Sequence, residues 1–129
     1  MTNEFKAKAW LKSSCPFCFR FLLFITEAGL LDQVEVVRVD ADDEDQLNAR
    51  RSELQQLTGE VASFPTVELS PGQYLSDTAG LIQHFAAAHG ISPESLPTLA
   101  FYDSGMFPTA LARFREIRSL KEQLSTLSV

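Results

Sequence analysis

An α/β domain built on a four-stranded mixed sheet is predicted by three features of the chain. An alternating run leads into a pair of cysteines, a β-branched run follows the next helical pattern, and a turn-punctuated hairpin precedes a further helix. Residues 5–11 alternate Phe5, Ala7 and Ala9 with Lys6 and Lys8 and continue through Trp10 and Leu11, a strand with one better-covered face. From Pro16 to Leu31 the residues Phe17, Phe21, Leu22, Phe24, Ile25 and Ala28 recur at helical spacing, and Gly29 marks the stop. Val34–Val39 is β-branched and bounded by polar residues, hence a second strand. Leu47, Arg50, Leu54 and Leu57 form a second helical pattern that stops at Gly59. Thr66–Leu69 and Gln73–Leu75 face each other across Ser70-Pro71-Gly72 as a short hairpin, and Ser76-Asp77 caps a helix beginning at Thr78. A βαβ unit followed by a hairpin and a helix gives the order βαβαββα and a mixed sheet covered by helices.

Residues 1–90 form this domain. Residues 91–105, with two prolines and a glycine, read as a connector, and residues 106–129 as an extra C-terminal helix. Leu111, Phe114, Ile117, Leu120, Leu124 and Leu127 run along that helix at steps of three and four, so an apolar stripe is expected to pack on the domain or at a dimer seam. A chain of 129 residues suits one domain that buries about two thirds of its unfolded surface. Its 45% hydrophobic and 22% charged content is that of a soluble globular protein. A net charge of −6 argues against nucleic acid, and the absence of a long uncharged apolar run argues against a membrane span. With no signal-peptide pattern, the expected location is cytoplasmic.

The chemistry is concentrated in Cys15-Pro16-Phe17-Cys18, which holds the only two cysteines. Lone cysteines in a reducing compartment point to catalysis rather than to a structural bridge. Cys15 stands where strand gives way to helix, so the unpaired N–H groups of the first turn favour its thiolate. Pro16 fits the first helical position, which needs no N–H. An unperturbed pKa of about 8.5 leaves a few per cent of thiolate at neutral pH, and C-x-x-C sites lower it to roughly 3.5–7.5. Cys18, one turn further in, can resolve a mixed disulfide with less exposure. A structural zinc site needs four ligands, and His84 and His89, five apart on one predicted helix, do not complete one. The five carboxylates between Asp40 and Asp45 match a helix N-terminus better than a metal site, so no metal is expected.

The element order and the dicysteine together resemble the thioredoxin fold in its glutaredoxin branch, and are similar also to the N-terminal domain of glutathione transferases, over about residues 5–89. Cys15-Pro16-Phe17-Cys18 resembles the glutaredoxin C-P-Y-C, with Phe for Tyr. Thr58-Gly59 followed by Phe64-Pro65-Thr66-Val67 resembles the segment that carries the family's cis-proline, although Ser63-Phe64 stands where glutaredoxins have Thr-Val. Leu75-Ser76-Asp77-Thr78-Ala79-Gly80-Leu81-Ile82 is similar to the transferase pattern that holds the γ-glutamyl group of glutathione. The resemblance implies a thioredoxin-like fold with an extra C-terminal α-helix, and glutathione as co-substrate. It further implies catalytic roles for Cys15 and Cys18 and a glutathione site made by Lys12, Phe17, Phe64, Pro65, Ser76 and Asp77.

The activity expected is that of a glutathione-dependent thiol-disulfide oxidoreductase acting on disulfide-containing or glutathionylated proteins, as a monomer or weak homodimer. Two alternatives stand beside it: a transferase-like thiol transferase using Cys15 alone, and a non-enzymatic glutathione-binding or iron–sulfur-carrying module.

Overall fold

The computed structural model describes residues 5–127, so positions 1–4 and 128–129 of the expected segments lie outside the described residues. The chain runs β1 (Ala7–Lys12), α1 (Pro16–Glu27), β2 (Val34–Val39), α2 (Glu44–Thr58), β3 (Thr66–Ser70), β4 (Gln73–Leu75) and α3 (Thr78–His89). After a short turn at Pro93–Ser95 it continues as α4 (Pro97–Phe101) and α5 (Phe107–Leu127). The strands order as β2-β1-β3-β4. β1 and β2 are parallel, joined by α1 as a parallel pair requires, while β1 with β3 and β3 with β4 are antiparallel.

Strand alternation sorts the core into two layers. On one face Ala7, Ala9 and Leu11 meet Phe21, Phe24 and Ile25 of α1 and Leu81, Ile82 and Phe85 of α3. On the other, Trp10 packs with Val39 and Leu54 of α2, and its indole N–H donates to Glu53 Oε1 at 3.3 Å. That bond keeps the polar edge of a buried ring paired. The acidic cluster starts α2: Asp43 is the N-cap, accepting from the Gln46 N–H at 3.1 Å, with Glu44 and Asp45 in the first turn. Gly59 closes that helix at φ 76°, a left-handed conformation that favours glycine.

Residues 97–106 differ from the expected connector. Pro97 begins a helix rather than breaking one, because its missing N–H falls in the first turn. Gly105 lies within a π-turn, Tyr102–Met106, that carries α4 directly into α5. The Glu27 carboxylate, at the end of α1, accepts the Thr98 and Leu99 N–H groups at 2.8 Å each and so caps α4. Leu99 and Tyr102 are buried against the body of the domain. Beyond its first turn α5 has no buried residue, and Phe114, Ile117, Leu120, Leu124 and Leu127 are 45–80% exposed. Leu111, at the start of the stripe, is half-buried, and the residues beyond it stay largely exposed in the single chain.

Leu99→Ala is expected to lower stability by about 2–5 kcal/mol, as deletion of a fully buried leucine does. Leu120→Ala, on the exposed stripe, is expected to change it by no more than about 0.5 kcal/mol. Thermal melts of the two variants at low protein concentration check the contrast, and equal losses would show that the stripe is packed.

Candidate active site at the start of the first helix

β1 delivers the chain into a tight turn in which Ser14 takes φ 61°, and Cys15 follows as the N-cap of α1 with extended backbone. In place of a side-chain oxygen, the cap acceptor is sulfur: the Cys18 N–H donates to Cys15 Sγ at 3.4 Å. Both cysteines are free thiols, Cys15 half-buried and Cys18 only 2% exposed. The Lys12 N–H donates to Cys18 Sγ at 3.3 Å, which fixes the inner sulfur against the end of β1.

This environment separates the two thiols. Cys15 falls from its ordinary 9.0 to about 6. The main cause is a hydrogen bond from the Cys18 thiol to its sulfur; burial opposes it, and the Cys18 and Phe17 N–H groups and the Lys12 charge assist. Cys18 is pushed upward by donating that bond, by burial and by the charge of Cys15. One cysteine is thus a thiolate at neutral pH and the other a protonated donor, the division that nucleophile and resolving thiol require.

Opposite Cys15 lies the loop before β3. The Phe64–Pro65 peptide is cis, Pro65 is buried, and Cys15 Sγ lies 3.9 Å from the Phe64 carbonyl oxygen. Lys12 Nζ sits 5.7 Å from the centre of the Phe64 ring. The Thr66 hydroxyl donates to the Ser63 carbonyl at 2.6 Å, which makes Ser76 the donor in the 2.8 Å contact between the Thr66 and Ser76 hydroxyls. That pair ties the proline loop to the start of α3. There Asp77 is the N-cap, accepting from the Gly80 N–H at 3.2 Å. Ser76 and Asp77 are exposed, and a Cβ at Gly80 would come within 2.9 Å of Asp77 Oδ2, so glycine leaves room for the cap.

The structure thus gathers Lys12, Cys15, Cys18, Phe64 and Pro65 at one place and sets Ser76 and Asp77 beside them through Thr66. Phe17 meets Phe107 edge-on at 5.3 Å. On the other side of β1, toward the β2 edge, a groove of about 500 Å3 opens beside the cysteines, lined by Leu11, Lys12, Phe19, Leu22, Val36 and Arg38. Cys15 therefore has a polar flank and an apolar one.

Five contacts at this site lie outside the motifs. The Tyr102 hydroxyl donates to the Pro16 carbonyl at 2.9 Å, and its ring meets Phe19 and Phe107. Asp103 accepts from Arg20 Nε and Nη2 at 2.8 and 3.2 Å, and the Arg20 guanidinium lies 5.4 Å from the Phe107 ring centre. Their one sequence signal was Leu99 and Tyr102 three apart, just after Pro97.

No family model and no curated protein matches the chain. Its fold is thioredoxin-like, and solved structures share it at low identity. Glutaredoxin 2 from Salmonella typhimurium, in complex with glutathione, is 16% identical with a TM-score of 0.53, over 68% of this chain and 36% of that one. A possible glutathione S-transferase from Rhodopseudomonas palustris is 16% identical with a TM-score of 0.54, over 93% of this chain and 70% of that one. The chain thus spans little more than a third of the Salmonella protein.

Alkylation of Cys15 by iodoacetamide is expected to rise with pH through a midpoint of about 6 and then level off. Cys18→Ala removes the main stabilising contact and should move the midpoint up toward 9.0; Cys18→Ser keeps an O–H donor and should move it less. Because the folded-state value lies below the ordinary one, the thiolate's contribution to stability is complete above pH 9.0 and is lost as the pH falls through about 6. A wild-type midpoint near 9.0 would remove the case for an activated thiolate.

Proposed function

We propose that this chain is a glutathione-dependent thiol-disulfide oxidoreductase with Cys15 as nucleophile. The observation that carries the proposal is the division of labour in the dicysteine: a thiolate at the helix cap, held by a buried, protonated thiol one turn further on. The likeness in fold to glutaredoxin 2 solved with glutathione supports the same chemistry.

In the proposed cycle the Cys15 thiolate attacks the glutathionyl sulfur of a glutathionylated protein. A Cys15–glutathione disulfide forms as the substrate S–S bond breaks, and the substrate thiolate leaves with the electron pair and takes a proton from water. A second glutathione thiolate then attacks the mixed disulfide, releasing oxidised glutathione and restoring Cys15. With a protein disulfide, Cys15 bonds to one protein sulfur while the other leaves as a thiolate and takes a proton from water; Cys18 then attacks Cys15 Sγ, its proton passing to the departing protein sulfur, and two glutathiones reduce the Cys15–Cys18 bond, leaving as oxidised glutathione. Lys12 pairs with the glycine carboxylate, the Phe64 backbone pairs with the cysteinyl unit, and Ser76 and Asp77 at the start of α3 receive the γ-glutamyl group.

The test is reduction of a mixed disulfide between glutathione and a small thiol, followed in wild type, Cys15→Ser and Cys18→Ser. Cys15→Ser is expected to lose all activity, because a serine hydroxyl is hardly ionised where the thiolate was the nucleophile. Cys18→Ser is expected to keep deglutathionylation and lose reduction of protein disulfides. No turnover by wild type would sink the proposal, and retention of both activities by Cys18→Ser would favour a transferase-like use of Cys15 alone. Lys12→Glu should raise KM for glutathione, more strongly at low salt, since exposed charges are screened beyond about 8–10 Å at physiological ionic strength.

A further inference from the structure

We infer that Tyr102 is a positioning residue for the Cys15 thiolate and acts through the Pro16–Phe17 peptide group. In a planar trans peptide the carbonyl of one residue and the N–H of the next point in opposite directions and turn together. The Tyr102 hydroxyl donates to the carbonyl end of this unit, Pro16 O, at 2.9 Å. The other end is the Phe17 N–H, which has no partner within the helix, in the first turn that Cys15 caps, and which helps to lower the Cys15 pKa. Holding the carbonyl therefore fixes the direction of the N–H in the turn that Cys15 caps. A hydrogen bond accepted by the carbonyl also polarises the amide and strengthens its N–H as a donor.

The phenol is well placed for this task. It is 8% exposed, its ring meets Phe19 at 5.1 Å and Phe107 at 5.7 Å, and the adjacent Asp103 is locked to Arg20 by two bonds. The charged and titratable groups that face the pair are Lys12 from β1, Cys18 and Arg20 from α1, and Asp103 beside the phenol itself. Burial and the charge of Cys15 hold the phenol above its ordinary range, so it stays a donor wherever Cys15 ionises. Its catalytic consequence rests on the proposed use of Cys15 as nucleophile; its effect on ionisation does not.

The experiment is a thiolate titration by ultraviolet absorbance, with alkylation rates as a second reading, on the full chain. Tyr102→Phe keeps the ring and removes the donor, and is expected to raise the Cys15 midpoint by about 0.5 pH unit, cutting alkylation at pH 6 about twofold. A ring-fluorinated tyrosine at position 102, a stronger donor of the same shape, is expected to lower the midpoint. Glu27→Gln loosens the far attachment of α4 and should reduce thermal stability while leaving the midpoint in place. The inference is overturned if Tyr102→Phe and the fluorinated residue leave the midpoint unmoved, or if Glu27→Gln moves it as far as Tyr102→Phe does. Should Tyr102→Phe fail to fold, the fluorinated protein decides alone. Turnover of a glutathione mixed disulfide is measured beside the titration. A shifted midpoint in an enzyme without turnover would sustain this inference and sink the proposed activity.

Discussion

A negative charge on sulfur, stabilised at the start of a helix, is the interaction around which the rest of the molecule is arranged. Cys15 takes the place usually held by a serine or aspartate cap, so the unpaired N–H groups of the first turn serve the group proposed as nucleophile. The arrangement depends on the strand before it and on the helix after it. β1, central in the sheet and paired on both sides, brings the Lys12 N–H to Cys18 Sγ, and Phe21, Phe24 and Ile25 bury α1 against that sheet. Burial of those side chains, each worth about 1.5–3 kcal/mol, holds the helix start in register with the strand end.

The same helix is gripped from outside the sheet domain. Glu27 at its end caps α4, while Arg20 and Pro16 near its start bond to Asp103 and Tyr102. The segment 97–106 thus spans α1 nearly from end to end. α4 and the π-turn therefore belong to the surroundings of the candidate site although they lie far from the cysteines in sequence.

Most of the fold was legible in the sequence because it is written in local periodicity. Alternation at Phe5–Ala9, helical spacing at Phe17–Ala28 and the turn at Ser70-Pro71-Gly72 each report hydrogen bonding between near neighbours, and the elements formed where these patterns lie. The cap at Ser76-Asp77, the helix start at the cysteines and the helix N-terminus in the acidic run Asp40–Asp45 were readable for the same reason. Two things were not. The bond from Tyr102 to Pro16 joins residues 86 apart, and Pro97 and Gly105 look like breakers until the cap from Glu27 and the π-turn are seen. The α5 stripe illustrates a second limit: periodicity tells which side of a helix is apolar, but not what lies against it.

The burial of Cys18 also governs how the site meets oxidants. A peroxide arriving from solvent encounters Cys15 alone, because the inner sulfur is covered and protonated. The sulfenic acid formed there lies next to a thiol already hydrogen-bonded to it, so condensation to a disulfide with loss of water competes with further oxidation to the irreversible sulfinic state. On the proposed use of Cys15, the inner cysteine would act as a chemical fuse, turning damage to that sulfur into a bond that thiols can reopen.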